Sequence, residues 1–289
     1  MYLNRYRRSL RCEGSFGACV RNGSAGLSNS AGMGDCLYLD FCCGFFAVAD
    51  GSDRNTSASR EFMGMFSRML TDKLSLSACK VYTVQEIIAL KEQLIFEAEK
   101  LLVEFSFRDS CTFTGVLLVK TNSGIIAVIF HMGDSVLISC NLRLKTFRQV
   151  TKGNFWMVGR SQHFFQVEEL PVDDDTRLFL ATDGIRDIPI LPRKSSEELV
   201  LELFNTGSPD DIPDLLSSMH KDSFSGYDDL AIIAIDPCSL SNSAGRFIIG
   251  GTSTNEERAF QSEKNQGLYQ DQYILHTLEE NGDTFVNVL

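Results

Sequence analysis

Three apolar runs in this chain carry aspartates at one end, and they limit the possible folds more than any other feature. The runs with their aspartates are residues 45–51, 177–184 and 228–235. Apolar runs of this length, bounded by turn residues, are typical of strands buried on both faces. If the strands are neighbours, their carboxylates meet at one rim of a sheet, where like charges repel one another. Since hard divalent cations take oxygen ligands, the first hypothesis is a metal centre.

Composition and charge narrow the class of protein. The chain has 289 residues, enough for one large or two small domains, and its net charge of -11 disfavours a nucleic-acid-binding protein. It contains neither an apolar run of roughly twenty residues nor the apolar core of a secretory signal, so we expect a cytoplasmic protein with no membrane partner. Its nine cysteines lack the paired spacings of a zinc site, which favours buried, reduced thiols.

Hydrophobic periodicity predicts strands and helices in blocks. A helical stripe runs through residues 62–70, and Thr83 with Glu86 forms a capping-box signature for a second helix. Strands with hairpin-type turns follow between residues 112 and 182, then two helices at 195–205 and 210–221 and a last core strand ending near Asp236. Blocks of strands and helices joined mainly by hairpins favour an α+β layered fold.

The residue pattern of the chain changes near residue 237. Residues 1–237 hold the strands, helices and aspartates described above, and residues 1–34 are predicted to be mostly loop apart from a strand at 16–21. Residues 238–289 are predicted to be a linker followed by a candidate terminal hairpin around Asn281-Gly282-Asp283. This hairpin is either an accessory packed on the domain or a docking strand for a partner.

Four motifs occur in chain order: Phe46-Ala47-Val48-Ala49-Asp50-Gly51, Met132-Gly133-Asp134-Ser135, Leu180-Ala181-Thr182-Asp183-Gly184-Ile185-Arg186-Asp187 and Tyr227-Asp228-Asp229-Leu230-Ala231-Ile232. Together with the two-helix block after the first motif, they resemble the metal-dependent serine/threonine protein phosphatases of type 2C, including bacterial members. The resemblance covers roughly residues 15–236. It implies a four-layer α-β-β-α sandwich, in which two antiparallel sheets pack face to face and helices flank them.

The resemblance also implies a metal centre of two Mn²⁺ or Mg²⁺ ions at one edge of the sandwich. By position in the motifs, Asp50 bridges the ions, the Gly51 carbonyl binds one of them, and Asp183 and Asp228 hold the other. Asp35 occupies the place of an acidic residue that supports the site through metal-bound water.

Two further residues are candidates by the same resemblance. Arg21, in the predicted N-terminal strand, is the candidate that binds the substrate phosphate, since a guanidinium binds phosphate bidentately. Asp109 is a candidate ligand for a third, weaker ion. The implied catalytic residues are therefore Asp50, Asp183, Asp228 and Arg21.

The implied activity is Mn²⁺- or Mg²⁺-dependent hydrolysis of phosphoserine and phosphothreonine in proteins. A hydroxide bridging the two metal ions attacks phosphorus in line, and no phosphoenzyme forms. The partners implied are phosphorylated protein substrates and a cognate serine/threonine kinase.

Departures from the family pattern keep alternatives open. Ser52-Asp53-Arg54-Asn55 follows Asp50-Gly51 where the family has a Gly-rich or His-containing stretch, Asp229 stands in place of Asn, and the segment 150–170 is short. One alternative is a catalytically weak or inactive module that binds a phosphoprotein or a kinase. Another is a hydrolase for a small phosphorylated metabolite. The single tryptophan, Trp156, is expected to be a buried core residue.

Overall fold

The computed structural model describes residues 1–4, 7–23, 32–52, 55–74, 80–106, 109–188, 194–221, 228–240, 245–267, 271–273 and 285–288. Within these ranges the chain forms the following strands: β1 (Tyr2–Asn4), β2 (Ser9–Cys12), β3 (Phe16–Arg21), β4 (Met33–Asp40), β5 (Phe45–Ala49), β6 (Val81–Tyr82), β7 (Phe113–Thr121), β8 (Gly124–Met132), β9 (Val136–Asn141), β10 (Thr146–Gln149), β11 (Gln166–Val172), β12 (Thr176–Ala181), β13 (Leu230–Ile235), β14 (Arg246–Thr252), β15 (Asp271–Tyr273) and β16 (Phe285–Val288).

The α-helices of the described residues are α1 (Ala58–Leu74), α2 (Val84–Phe105), α3 (Ser196–Thr206), α4 (Ile212–Lys221) and α5 (Thr254–Asn265), and a short 3₁₀-helix spans Asp183–Asp187. The capping box predicted at Thr83 and Glu86 is present at the start of α2. A second capping box, between Ser195 and Glu198, begins α3. These boxes satisfy backbone N–H groups that the first turn of a helix leaves without partners.

The strands form two sheets. Sheet 1 has the order β10-β9-β12-β13-β3-β2-β1-β15, and sheet 2 has the order β11-β8-β7-β5-β4-β14-β16 with β6 beside β7. All neighbours are antiparallel except the β14–β16 and β6–β7 pairs, which are parallel. The sheet order places β5 and β12, which lead into the two Asp-Gly motifs, in different sheets.

Three apolar layers hold the sheets and helices together. The layer between the sheets is built from both, with Phe16 and Ile233 from sheet 1 and Phe46 from sheet 2. A second layer packs α1 and α2 on sheet 2, and a third packs α3 and α4 on sheet 1. Each fully buried aromatic or aliphatic side chain contributes roughly 1.5–3 kcal/mol. The predicted four-layer α-β-β-α arrangement of two sheets flanked by helices is confirmed.

The ends of the chain contain more structure than the sequence pattern indicates. Residues 1–34, predicted to be mostly loop, contain the β1–β2 hairpin in addition to β3. Residues 246–252, assigned to the C-terminal segment, form β14 inside sheet 2 between β4 and β16. Pairing of β14 with β4 joins residues that lie far apart in sequence, and such pairing leaves no local signature in the chain.

The candidate terminal hairpin has a different arrangement in the described residues. Strand β15 pairs with β1 in sheet 1, whereas β16 pairs with β14 in sheet 2. The Asn281-Gly282-Asp283 turn lies outside the described residues, and the boundary at residue 237 stays a prediction. Among the described residues, seven free cysteines are buried and Cys238 is exposed. None of the helices described here combines the length and apolar character needed to cross a membrane.

Candidate metal centre

Aspartates from both sheets converge at one end of the sandwich. Asp50 follows β5, Asp134 lies in the turn between β8 and β9, and Asp183 begins the 3₁₀-helix after β12. One carboxylate oxygen of each lies within 4.8 Å of those of the other two, and all three residues are half-buried. We call Asp50, Asp134 and Asp183 the acidic rim. The expected meeting of Asp50 and Asp183 is present in the structure.

The glycines that follow Asp50 and Asp183 are required because another part of the backbone approaches them closely. The Gly51 N–H donates a hydrogen bond to the Gly34 carbonyl at 3.0 Å, and a Cβ atom on Gly51 would lie 2.8 Å from that carbonyl oxygen. A Cβ atom on Gly184 would lie only 2.0 Å from the Asp229 carbonyl oxygen. A side chain at either position would therefore push apart the strands that bring the carboxylates together.

Burial and mutual repulsion raise the pKa values of the rim. Burial, then the charges of Asp183 and Asp228, raise the pKa of Asp50 to about 8. Burial, then the charges of Asp134 and Asp228, raise the pKa of Asp183 to about 6. These shifts mean that the protein alone does not compensate the negative charge at the rim, so a bound cation would stabilise the ionised carboxylates.

Asp35 lies beneath the rim on β4 and is buried. Its carboxylate accepts a hydrogen bond from the Thr182 hydroxyl, whose oxygen accepts a bond from the Ala231 N–H at 2.9 Å. Burial, then the charge of Asp50, holds the pKa of Asp35 well above its usual range. Thr182 directly precedes Asp183, so this bond links Asp35 to the strand end that carries a rim aspartate.

The neighbouring residues Asp228 and Asp229 have different positions and different contacts. Asp228 is exposed, and its charge contributes to the raised pKa values of Asp50 and Asp183, although it is not one of the three clustered carboxylates. Asp229 is turned inward and accepts hydrogen bonds from the backbone N–H groups of Gly23 and Gly34, each at 2.6 Å. The second carboxylate therefore joins the end of β3 to the start of β4.

Two predicted site residues lie away from the rim contacts. The Arg21 guanidinium donates to the Ser217 carbonyl of α4 at 2.6 Å, so this contact faces a helix on the outside of sheet 1. Asp109 is half-buried and does not belong to the carboxylate cluster found among the described residues. A phosphate-binding role for Arg21 and a metal-binding role for Asp109 stay predictions.

Asp134 is the rim residue to which the sequence analysis gave no role. Its turn was recognised as Gly133-Asp134-Ser135, but nothing in the local pattern separates a ligand from an ordinary turn aspartate. Thr112 ties this turn to Asp50, because its hydroxyl oxygen accepts from the Asp50 N–H at 3.0 Å and shares a 2.8 Å hydrogen bond with the Ser135 hydroxyl. This link depends on the pairing of β7 with β5 and β8, which the sequence alone does not show.

Exposed aromatic side chains lie beside the rim in the segment between β10 and β11. The Asn154 N–H donates to the Gly133 carbonyl at 2.9 Å, and the Asn154 side chain accepts from the Gly133 N–H at 3.1 Å. The next two residues are exposed, Phe155 at 99% and Trp156 at 42%. The expectation that Trp156 is buried is wrong, because the segment that carries it leaves its side chain exposed; the ring packs edge-on against Phe165, with centroids 6.0 Å apart.

The donor set of the rim fits hard divalent cations. It offers carboxylate oxygens from three strand ends, partly shielded from water and crowded enough to repel one another. Mn²⁺ and Mg²⁺ prefer such oxygen ligands, and no cysteine or histidine belongs to the cluster among the described residues. Gly51 directly follows Asp50, and the charge of Asp228 acts on Asp50, but metal binding by the Gly51 carbonyl and by Asp228 stays a prediction.

Comparison with known proteins identifies relatives of the fold. The crystal structure of the Mycobacterium tuberculosis serine/threonine phosphatase PstP is similar with a TM-score of 0.57 and 16% identity, over 76% of this chain and 96% of that chain. The PstP catalytic domain in complex with two manganese ions gives a TM-score of 0.56 and 17% identity, over 76% of this chain and 96% of that one. The Mycobacterium smegmatis phosphatase MsPP, in complex with cacodylate, gives a TM-score of 0.54 and 17% identity, over 77% and 97% of the two chains.

Sequence comparison alone finds nothing. No protein-family profile matches the chain, and no curated protein sequence matches it. The likeness therefore lies in the arrangement of the two sheets and their helices, as the low identities also indicate. This chain has the fold of the bacterial metal-dependent type 2C serine/threonine phosphatases.

Proposed function

We propose that the protein is a Mn²⁺- or Mg²⁺-dependent phosphatase that hydrolyses phosphoserine and phosphothreonine in proteins. The observation that carries this proposal is the convergence of Asp50, Asp134 and Asp183, with carboxylate oxygens within 4.8 Å of one another. The fold supports it, since a structural relative with the same fold is a phosphatase in complex with two manganese ions.

The chain's own residues have separate roles in this proposal. Asp50, Asp134 and Asp183 hold the metal ions together with Asp228 and the Gly51 carbonyl, and Asp35 supports them from beneath. When bound, two divalent cations supply a nucleophilic water near neutral pH and neutralise charge on the phosphoryl oxygens. Because the pKa values of Asp50 and Asp183 are raised, these side chains release protons when the cations bind.

Arg186 is the cation best placed to receive a phosphoryl group at the rim. Its guanidinium lies 3.6 Å from the Asp134 carboxylate and donates to the Asp134 carbonyl at 3.3 Å. The side chain is 56% exposed, so it can reach an incoming phosphate oxygen while it stays beside the rim. Arg21, by contrast, is held by α4.

A protein substrate suits the surroundings of the rim better than a small metabolite. Phe155 and Trp156 are exposed next to the Gly133-Asp134 turn. Their exposure suits an open site and not a closed pocket that would surround a small molecule. Exposed aromatic rings bind the side chains that flank a phosphorylated residue, whereas a small metabolite would gain little from them.

The proposal is tested by release of phosphate from a phosphopeptide. The full-length protein should release phosphate with Mn²⁺ and lose this activity with a chelator. Asp50→Asn should lower the rate by about a thousandfold, since metal ions supply several kcal/mol of transition-state stabilisation. The control is Asp211→Asn, because this carboxylate is exposed and pairs with Arg11 on the outer face of the fold.

Two results would count against the proposal. Equal activity in Asp50→Asn and the parent protein would rule out the rim as the catalytic centre. Tight Mn²⁺ binding by calorimetry without phosphate release from any phosphopeptide or from p-nitrophenyl phosphate would instead support a module that binds phosphoproteins or a kinase.

A further inference from the structure

A second polar region lies where the β1–β2 turn, the end of β3 and helices α4 and α5 meet. It forms a cavity of about 490 Å³, near the lower end of the size range of small-molecule sites. The charged residues that line it are Arg7, Arg8, Arg21, Lys264 and Asp214. We call this the cationic cavity. Four cations line it against one carboxylate, and the Glu257 carboxylate pairs with Arg8, so the local balance is positive in a chain of net charge -11.

One cation of this cavity, Arg8, is fixed in place by the protein. Arg8 is buried with φ 52, a backbone conformation that non-glycine residues keep only when their surroundings hold them. Its guanidinium lies 3.7 Å from the centroid of the Phe260 ring and donates to the Glu257 carboxylate at 2.8 Å. Because these contacts already exist, an anion that enters the cavity would meet positive charge whose geometry is preformed.

Asn22 supplies the observation that points to a ligand. It lines the cavity and is only 9% exposed. Neither its side-chain nitrogen nor its side-chain oxygen has a hydrogen-bond partner within the described part of the chain. A buried amide without partners is costly, and it needs both an acceptor and a donor to be satisfied.

We propose that the cationic cavity binds a small phosphate-bearing anion, with hydrogen phosphate as its simplest form. Arg7 and Lys264 attract the charge, and the Asn22 side-chain nitrogen donates to a phosphate oxygen. The Asn22 side-chain oxygen accepts from the P–O–H group or from a hydroxyl of a phosphate ester, whereas the Asp214 carboxylate already pairs with Arg11 and Arg7. A fully ionised anion such as sulfate has no such donor and leaves the Asn22 side-chain oxygen without a partner.

The cavity differs from the candidate metal centre in residues and in charge. None of Asp50, Asp134, Asp183 or Asp228 lines it, and Arg21 is the one predicted site residue that does. The rim in the absence of metal is a cluster of carboxylates and repels anions. Phosphate binding by the metal-free protein that is weakened when a cavity residue is substituted therefore reports on the cavity and not on the rim or its neighbour Arg186.

The test is calorimetric titration of the full-length protein with inorganic phosphate in the absence of divalent metal. We expect one saturable site for phosphate and binding of sulfate that is at least about tenfold weaker. Arg7→Gln and Lys264→Gln should each weaken phosphate binding by roughly tenfold, the usual effect of losing one charge-assisted hydrogen bond. Asn22→Leu should remove the preference for phosphate over sulfate.

Arg143→Gln is the matched control. Arg7 and Arg143 are both exposed arginines beside an aspartate, with side chains 64% and 72% exposed and nitrogen-to-oxygen distances of 3.6 and 3.2 Å. Arg143 does not line the cavity, so its substitution should leave phosphate binding unchanged. The proposal is overturned if the metal-free protein shows no saturable binding, if Arg7→Gln binds like Arg143→Gln, or if sulfate binds as tightly as phosphate.

Discussion

The acidic rim and the cationic cavity differ in how far the protein compensates the charge of their side chains. The rim brings carboxylates together with little positive charge nearby, so burial and repulsion raise the pKa values of Asp50 and Asp183. The cavity gathers cations, yet Arg8 has the Glu257 carboxylate as its partner and Arg21 has the Ser217 carbonyl. A region whose charge the protein leaves uncompensated indicates a ligand of the opposite sign, whereas a compensated one also serves the stability of the fold.

The largest effect should come from breaking the compensated pair. Arg8→Met leaves the Glu257 carboxylate buried without its partner, since the two side chains are only 4% and 5% exposed. We expect the free energy of unfolding to fall by about 3–5 kcal/mol, as measured by denaturant titration. The same change at the exposed Arg143 should leave it nearly unchanged. A loss at Arg8 no greater than at Arg143 would show that the cavity cations have no structural role.

The second effect concerns the rim residue without a sequence signal. Asp134→Asn removes one of three clustered carboxylates, so we expect Mn²⁺ affinity to fall by roughly a hundredfold, because ligand charge sets the affinity of oxygen-ligand sites. Calorimetry with Mn²⁺ measures this change. Stability should not fall, because removal of a repelling charge favours the metal-free fold. An unchanged affinity would exclude Asp134 from the ligands.

The third effect is a pH dependence of metal affinity and of stability, to which the rim aspartates contribute. Mn²⁺ competes with protons on Asp50 and Asp183, so its apparent affinity should rise between about pH 6 and pH 8, by up to about tenfold per pH unit for each proton displaced. The unfolded state binds fewer protons than the folded state between about pH 4 and pH 8, since an unfolded aspartate has a pKa near 3.9. The free energy of unfolding of the metal-free protein should therefore fall as pH rises through this window.

Asp50→Asn provides the control for that pH dependence. The substitution removes a carboxylate whose pKa is raised to about 8, so the decline of stability with pH should become shallower. Thermal unfolding at several pH values measures it. An identical slope in Asp50→Asn and the parent protein would show that Asp50 does not titrate in this range.

The smallest effect tests the aromatic residues beside the rim. Trp156→Ala should raise KM for a phosphopeptide by about fivefold, since an exposed aromatic contact contributes on the order of 1 kcal/mol. Neither the rate with p-nitrophenyl phosphate nor phosphate binding by the metal-free protein should change. A similar effect on both phosphatase substrates would mean that Trp156 acts on the metal centre and not on the peptide.

How much of the fold and of the site the sequence predicts depends on how far apart in the chain the residues that form each feature lie. Asp50 and Asp183 were predictable because each follows a buried strand and precedes a glycine that a close backbone approach requires. The capping boxes of α2 and α3 are equally local, and the one predicted at Thr83 and Glu86 is confirmed. The same signal, Ser253 followed by Glu256, marks the start of α5, which lies in a segment predicted to be linker.

Features that depend on distant pairing were not predictable. Asp134 becomes a rim residue only through the pairing of β8 with β7 and of β7 with β5. The cationic cavity brings Arg7 and Lys264 together from opposite ends of the chain. Trp156 was expected in the core because tryptophan is usually buried, and its exposure depends on the path of a segment without regular structure.

Pairing of β14 with β4 also bears on the order in which the molecule folds. Gly250 lies opposite Cys36, and a Cβ atom on Gly250 would lie 2.3 Å from the carbonyl oxygen of Asp35. Strand β14 therefore packs closely against the backbone of Asp35, the residue beneath the rim. Contacts between residues so distant in sequence close large loops and form late. We therefore expect refolding protein to regain its helices before it regains the capacity to bind Mn²⁺.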